Sequence, residues 1–197
     1  MKIYTIIAGA NGVGKTSLYQ IIESSDDLGE RINIDEIVSK KGSWMDKLLQ
    51  INASRIAMNM LNKYIANEVT FHQETTLSGN VVLKHIKKAK EKGFEIRLYF
   101  VGVENVDVAL SRVEKRVKKG GHGIEETTIR KRFEEMPERL RAILPYCDTA
   151  SFYDNTIRFR RLALTKGDVI FDSDMDLPQW FNDLIDKGII KRPRTRR

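Results

Sequence analysis

Short apolar runs alternate along this chain with longer segments in which apolar residues recur every three or four positions. Runs of the first kind, rich in β-branched and aromatic residues, predict buried strands at residues 3–8, 28–34, 69–73, 94–103 and 150–153. Segments of the second kind predict amphipathic helices at residues 16–22, 43–67, 81–92, 106–119, 125–144 and 178–187, and residues 43–67 could form one long helix or two shorter ones. Pro137 lies inside the fifth predicted helix and is expected to kink or break it.

The alternation of strands and helices predicts an α/β fold. Segments of crossover length join successive strands, which favours a mostly parallel sheet of five or six strands with helices on both faces. Two further apolar runs, residues 158–164 and 168–171, predict a hairpin that turns at Lys166-Gly167. The same turn resembles the guanine-reading pattern [NT]-K-x-D of GTPases. The second GTPase motif, D-x-x-G, is matched only by residues 26–29 in a loop after a helix, so we interpret Lys166-Gly167 as a turn.

The segment between the first predicted strand and the first predicted helix matches the phosphate-binding pattern G-x-x-x-x-G-K-[ST]. The predicted nucleotide-binding residues are Gly9, Ala10, Asn11, Gly12, Val13, Gly14, Lys15, Thr16 and Ser17. A glycine-rich loop at a helix N-terminus turns backbone N–H groups toward a polyphosphate. Lys15 is placed to reach the β- and γ-phosphates, and the Thr16 hydroxyl to bind Mg²⁺. The alternative, a glycine turn that arose by chance, leaves the flanking strand and helix unexplained.

Polar residues follow four predicted strands, at residues 11–16, 35–36, 74–75 and 154–155. The carboxyl ends of parallel strands meet at one edge of the sheet, which is where ligands of such sheets bind. Asp35 follows the second strand, and Glu74 and Thr75 follow the third. Asp35 is the candidate base for an acceptor hydroxyl, with a helix N-cap as the alternative. Glu74 is a candidate for contacting a sugar-like acceptor or for holding Mg²⁺ through water, with a plain loop carboxylate as the alternative. Thr75 offers a hydroxyl beside it.

A segment dense in arginine, residues 112–133, reads as helix, glycine break and helix. Arg112 and Arg116 are four residues apart, which places both guanidinium groups on one helical face. Glycines surround His122 at the break. This pattern predicts a mobile lid that closes over phosphates, with His122 as a hydrogen-bonding residue of the lid. The alternative is an ordinary pair of exposed helices.

Composition narrows the expected partners. The net charge is +7, but residues 191–197 carry five basic groups and no acidic group, which is typical of a disordered, solvated tail. The rest of the chain has a net charge of only +7 − 5 = +2, so nucleic acid is not expected as a partner, with contact of the tail to RNA or to an acidic partner as the alternative. The single cysteine, Cys147, excludes an internal disulfide framework and favours a cytoplasmic location. No apolar run approaches the ~20 residues of a membrane span, so no membrane partner is expected.

These motifs together resemble those of the zeta-toxin family of P-loop kinases. The segments that carry the resemblance are residues 9–17, 33–36 (Asn-Ile-Asp-Glu), 74–79 (Glu-Thr-Thr-Leu-Ser-Gly), 112–113 and 116–117 (Arg-Val in both), 120–122 (Gly-Gly-His), 132–133 (Arg-Phe) and 154–155 (Asp-Asn). The resemblance covers about residues 1–175. Its Glu-Thr-Thr-Leu-Ser-Gly and Gly-Gly-His elements are more specific than the phosphate loop.

The resemblance implies a kinase that depends on ATP, or GTP, and on Mg²⁺. In the family's toxins the acceptor is the 3′-hydroxyl of a UDP-N-acetyl amino sugar. Asp35 would match the base, Lys15 the phosphate clamp, and Arg116 and Arg132 the residues that neutralise charge. The predicted catalytic residues are thus Asp35, Lys15, Arg116 and Arg132, and the predicted substrate-binding residues are Asp35, Glu74, Thr75, Arg112 and Arg130.

We therefore expect one P-loop kinase domain over residues 1–190, with a lid at about residues 112–133 and a basic tail at 191–197. The expected reaction is phosphorylation of a small-molecule hydroxyl, with a UDP-N-acetyl amino sugar as the first candidate acceptor and an antitoxin protein as a candidate partner. The alternatives are a kinase for a nucleoside, an antibiotic or a nucleic-acid end, and a nucleotide-binding regulatory protein without transfer activity.

Overall fold

One mixed sheet of seven strands organises the computed structural model, which describes residues 1–24, 27–39, 42 and 46–193. The strands are β1 (Ile3–Ala8), β2 (Glu30–Ile32), β3 (Phe71–Thr75), β4 (Glu95–Gly102), β5 (Thr149–Asp154), β6 (Arg160–Lys166) and β7 (Val169–Ser173). Their order in the sheet is β2-β3-β1-β4-β5-β6-β7. The first five of these are parallel, and the last two pairings are antiparallel.

Helices alternate with the parallel strands, as the sequence predicts. They are α1 (Lys15–Glu23), α2 (Ile34–Ser39), α3 (Lys47–Ala66), α4 (Val81–Glu91), α5 (Val106–Lys118), α6 (Glu126–Ile143) and α7 (Gln179–Asp186), with a 3₁₀ turn at Leu144–Tyr146. The predicted α/β class and mostly parallel sheet are confirmed. The sheet has seven strands instead of five or six because both strands of the predicted hairpin join it.

The central strand β1 sets the position of the polar edge. Five of its six residues are buried, since a strand covered on both faces has no polar side to show. It pairs with β3 on one side and β4 on the other, and Ile7 lies opposite Glu74. The segment that follows β1 therefore lies beside the carboxyl end of β3. Large buried side chains complete the core on several elements: Tyr4, Phe71, Phe94, Phe152 and Phe181.

One local expectation is wrong. The second strand was predicted to continue to Ile34, but β2 ends at Ile32 and α2 begins at Ile34. Asn33 causes the change, because its side-chain oxygen accepts hydrogen bonds from the backbone N–H groups of Asp35 and Glu36 and so caps a helix. Of the kink or break predicted at Pro137, the break does not occur, because α6 runs through Pro137 and buries Met136 and Leu140 on either side of it.

The first residue of the predicted basic tail contacts the end of the sheet. Lys191, assigned above to the basic tail, forms a parallel bridge with Val169 and an ion pair of 2.6 Å with Asp168. Residues 194–197, the rest of the predicted tail, lie outside the described residues. None of the helices in the described part of the chain combines the length and apolar character needed to cross a bilayer.

Candidate active site

The loop between β1 and α1 has the backbone of a phosphate-binding loop. Gly12 and Gly14 have φ angles of 82° and 104°, which favour glycine. A Cβ at Gly12 would overlap the backbone carbonyl oxygen of Ala109 in α5. The loop thus packs directly against the first helix of the arginine-rich segment, and α1 begins at Lys15, so its N-terminus faces the loop.

Lys15 closes across this loop. Its Nζ donates hydrogen bonds of 3.0 Å to the carbonyl oxygens of Gly9 and Ala10. Burial of the ammonium group lowers the pKa of Lys15 from 10.5 to about 8, although the negative charges of Glu74 and Asp35 act in the opposite direction. An ammonium group held by neutral carbonyl oxygens in a desolvated site is a favourable partner for a phosphate anion.

Glu74 lies beside the loop with its carboxylate buried. Oε2 accepts a hydrogen bond of 3.0 Å from the Thr16 hydroxyl, and Oε1 accepts bonds of 2.8 Å from Arg31 and Asn33. Such a partnered carboxylate is not the plain loop residue that was one alternative for Glu74. A hydroxyl and a carboxylate oxygen in contact also form a set of hard oxygen ligands, which fits Mg²⁺.

Asp35 lies in the first turn of α2, one residue inside the helix, and does not directly follow the second strand as predicted. The alternative role of N-cap falls to Asn33. The Asp35 side chain is 57% exposed, and its Oδ1 lies 3.6 Å from Nε2 of His122. Asp35 is therefore available to a ligand, as a base must be.

Two cavities meet at the polar edge of the sheet. The first, here the acceptor cavity, is about 350 Å³ and extends from Lys15 toward α3. The second, here the phosphate cavity, is about 460 Å³ and extends over the loop. Four residues line both: Asn11, Lys15, Asp35 and Glu74. Thr75, His122 and Arg132 line the acceptor cavity, whereas Thr16, Ser17, Arg112 and Arg116 line the phosphate cavity.

The arginines separate into distinct positions. Nε and Nη2 of Arg116 are buried without a hydrogen-bond partner among the described residues, which is costly unless an anion occupies the phosphate cavity. Nη1 of Arg132 donates a bond of 2.9 Å to the side-chain oxygen of Asn11 in the loop. These two residues, predicted to neutralise charge, thus take different positions: Arg116 lines the phosphate cavity, and Arg132 lines the acceptor cavity and contacts the loop at Asn11.

The other two arginines do not lie on the acceptor cavity, where the sequence led us to expect them. Nη2 of Arg112 donates to the carbonyl oxygens of Asn155 and Thr156, at 2.7 and 3.0 Å, and the residue lines the phosphate cavity. Arg130 lies outside both cavities and is paired with Glu126 and Asp107. The reason is helical geometry. Residues two positions apart in an α-helix are separated by about 200° around its axis, so Arg130 and Arg132 point to opposite sides.

Some residues of the site carry no recognisable motif. Arg31 binds Glu74 and Glu36 and stacks on the ring of Tyr19 at 3.7 Å. Nothing in a single sequence relates Arg31 to Glu74, which is 43 residues away. Asn33 did carry a signal, because a glutamate three residues after an asparagine is typical of a helix start.

The sequence and the fold are similar to those of known proteins. The family model described as zeta toxin matches residues 1–158. An uncharacterized protein of Haemophilus influenzae is 34% identical over 125 residues, which are 64% of this chain and 88% of that protein. The fold is similar to a structure of the PezAT chromosomal toxin-antitoxin system of Streptococcus pneumoniae, with a TM-score of 0.64 at 14% sequence identity. The match covers 95% of this chain and 84% of the chain in that structure.

A complex of AvrRxo1-ORF1 with ORF2, solved with ATP, has a TM-score of 0.63 at 11% identity. The match covers 93% of this chain and 63% of the chain in that structure. At these identities the two solved structures show the shared fold alone.

Proposed function

The chain belongs to the zeta-toxin family, and from that premise we propose that it is an ATP- and Mg²⁺-dependent kinase that phosphorylates a hydroxyl group of a small molecule. The observation that carries this proposal is the meeting of the two cavities at Lys15, Asp35 and Glu74. A donor phosphate over the loop and an alcohol in the acceptor cavity would face each other across these residues.

The residues supply what phosphoryl transfer needs. The acceptor oxygen forms a bond to the γ-phosphorus while the bond from that phosphorus to the β-γ bridging oxygen breaks and ADP leaves. The acceptor proton passes to the Asp35 carboxylate, whose exposed face opens on the acceptor cavity. Lys15 and the unpartnered guanidinium nitrogens of Arg116 would stabilise the negative charge on the transferring group and on ADP.

Thr16 and Glu74 would hold Mg²⁺, directly or through water. When bound, the ion would neutralise charge on the β- and γ-phosphate oxygens. Of the two functional roles considered for Glu74, this proposal assigns the metal-binding one. Thr75, which lines the acceptor cavity, would then contact the acceptor.

The acceptor we propose first is a UDP-N-acetyl amino sugar, phosphorylated on its 3′-hydroxyl as in the family's toxins. A nucleoside, an antibiotic or a nucleic-acid end is an alternative acceptor for the same residues. The structural relative PezAT is described as a toxin-antitoxin system, and on that basis we propose an antitoxin protein as a partner of this chain.

The test is a screen of acceptors with ATP and Mg²⁺, in which phosphorylation is read as a mass increase of the acceptor. We expect transfer to a UDP-N-acetyl amino sugar by the wild-type chain. Asp35→Asn is expected to lower kcat by about 10²- to 10⁴-fold and to bind ATP as the wild type does. Slow ATP hydrolysis with no phosphorylated acceptor would favour the regulatory alternative, and full transfer by Asp35→Asn would exclude Asp35 as the base.

A further inference from the structure

The turn between α5 and α6 is fixed tightly against Arg116. The N–H of Gly120 donates to the carbonyl oxygen of Val117 at 2.8 Å, and that of Gly121 donates to the carbonyl oxygen of Arg116 at 2.9 Å. A Cβ at Gly121 would lie 2.7 Å from Cγ of Arg116, so a side chain there would displace the arginine. The next residue, His122, therefore has a position defined relative to Arg116.

From this turn the chain crosses the acceptor cavity. His122 and Ile124 line the cavity, and Arg132 returns to the phosphate loop at Asn11. Nε2 of His122 lies 3.6 Å from the carboxylate of Asp35 in α2. No other side chain in the described ranges forms an ion pair with Asp35.

Accepting the proposed kinase function, we propose that His122 is a positioning residue for Asp35. Its imidazole N–H orients the carboxylate that takes the acceptor proton, so the base is aligned only when the segment that carries Arg116 and Arg132 is in place. A separation of 3.6 Å is too long for a hydrogen bond. Catalytic hydrogen bonds are often long without substrate and shorten in the reactive complex.

Burial favours a neutral imidazole at His122, as this role requires. Burial is the largest effect and lowers the pKa of His122; the positive charge of Arg116 acts in the same direction and the negative charge of Asp35 in the opposite one. Lys15, Arg132 and Glu74 are the other charged residues on the same cavity. A neutral N–H orients the carboxylate and leaves its negative charge, whereas a cation would stabilise the carboxylate and make it a weaker base.

The kinetic test compares His122→Leu with His122→Gln, which keeps an N–H donor. We expect the leucine variant to lose kcat by about 10- to 100-fold, to keep the KM for ATP, and to move the acidic limb of the kcat profile to higher pH. The glutamine variant should recover most of kcat. Wild-type kcat in His122→Leu, or equal losses in both variants with matching losses of thermal stability, would overturn the proposal.

A second measurement needs no turnover. The chain has three histidines, so the imidazole signals of His122 can be assigned by comparing wild type with His122→Gln in an NMR titration. Removal of the Asp35 charge in Asp35→Asn should lower the pKa of His122 by about 0.5 to 1. An unchanged pKa would show that the two groups do not interact in solution. Failure of the wild type to phosphorylate any acceptor would instead count against the kinase function, and the titration would still decide the pairing.

Discussion

The Thr16 hydroxyl donates a hydrogen bond of 3.0 Å to Oε2 of Glu74, joining the first helical turn after the phosphate loop to the end of the neighbouring parallel strand. The pairing of β1 with β3 makes this contact possible, because it places Glu74 opposite Ile7 and next to the loop. Arg31 and Asn33 donate hydrogen bonds to the other carboxylate oxygen, Oε1, and so fix the orientation of the Glu74 carboxylate.

This contact predicts how ATP affinity depends on Mg²⁺. In the wild type, ATP is expected to bind more tightly with Mg²⁺ than with EDTA, because the ion adds contacts to Thr16 and Glu74. Thr16→Val and Glu74→Gln should each reduce that difference about tenfold or more, as measured by calorimetric titration. The affinity for ATP in EDTA is the internal control, and a variant that keeps the full Mg²⁺ effect would remove its residue from the metal site.

The buried charge of Lys15 is expected to lower the free energy of unfolding, although phosphoryl transfer requires it. Its pKa, lowered from 10.5 to about 8 by burial, means that the folded state binds this proton less strongly than the unfolded state does. The cost, at most about 3 kcal/mol, is present in full below pH 8 and disappears as pH rises toward 10.5. Lys15→Met should therefore abolish transfer and be more stable than the wild type at pH 7.

Urea unfolding between pH 7 and 10 measures this effect. The stability advantage of Lys15→Met should shrink as pH rises through that window. Lys63→Met, a change at an exposed lysine of α3, is the matched control and should show a constant difference from the wild type. A Lys15→Met variant that is less stable at pH 7 would show that the bonds to the Gly9 and Ala10 carbonyls outweigh the burial of charge.

Three arginines of the predicted lid are expected to differ in a kinetic comparison. Arg116→Ala and Arg132→Ala should each lower kcat by about 10³-fold, in the range of other arginines that stabilise phosphoryl transfer. Arg132→Ala should also raise the KM for the acceptor, because Arg132 lines the acceptor cavity. Arg130→Ala is the matched control and should stay within about twofold of wild type, since its partners are the exposed Glu126 and Asp107. A large loss in Arg130→Ala would contradict the position the structure gives it.

Sequence reasoning succeeded where the chemistry is local and failed where it depends on distant pairs. The phosphate loop, Lys15 and Thr16 lie in one contiguous motif whose flanking strand and helix have clear apolar patterns. The apolar residues Ile32 and Ile34 alternate like a strand, but the cap formed by Asn33 decides for a helix.

The contacts that orient the site join residues far apart in the chain. Asp35 and His122 are 87 positions apart in the sequence, and Thr16 and Glu74 are 58 apart. Their pairing follows from strand order and from the path of the segment after α5, and neither periodicity nor spacing contains that information. Whether Arg130 or Arg132 reaches the loop depends on which side of α6 faces the loop, and Arg132 lies on that side, 2.9 Å from Asn11.

The close packing of Gly12 against α5 predicts that a side chain at this position would displace the arginine-rich segment from the phosphate loop. Gly12→Ala would force a Cβ against the Ala109 carbonyl, and it also carries the cost of a positive φ. Gly188→Ala is the matched control, because Gly188 has a φ of 65° and open space around its Cβ position. The control should lose about 1 to 2 kcal/mol of unfolding free energy, and Gly12→Ala about 1 to 3 kcal/mol more. Because the clash pushes α5 and Arg116 from the phosphate cavity, ATP affinity should fall in Gly12→Ala alone; equal behaviour of the two variants would mean that α5 does not rest on the loop.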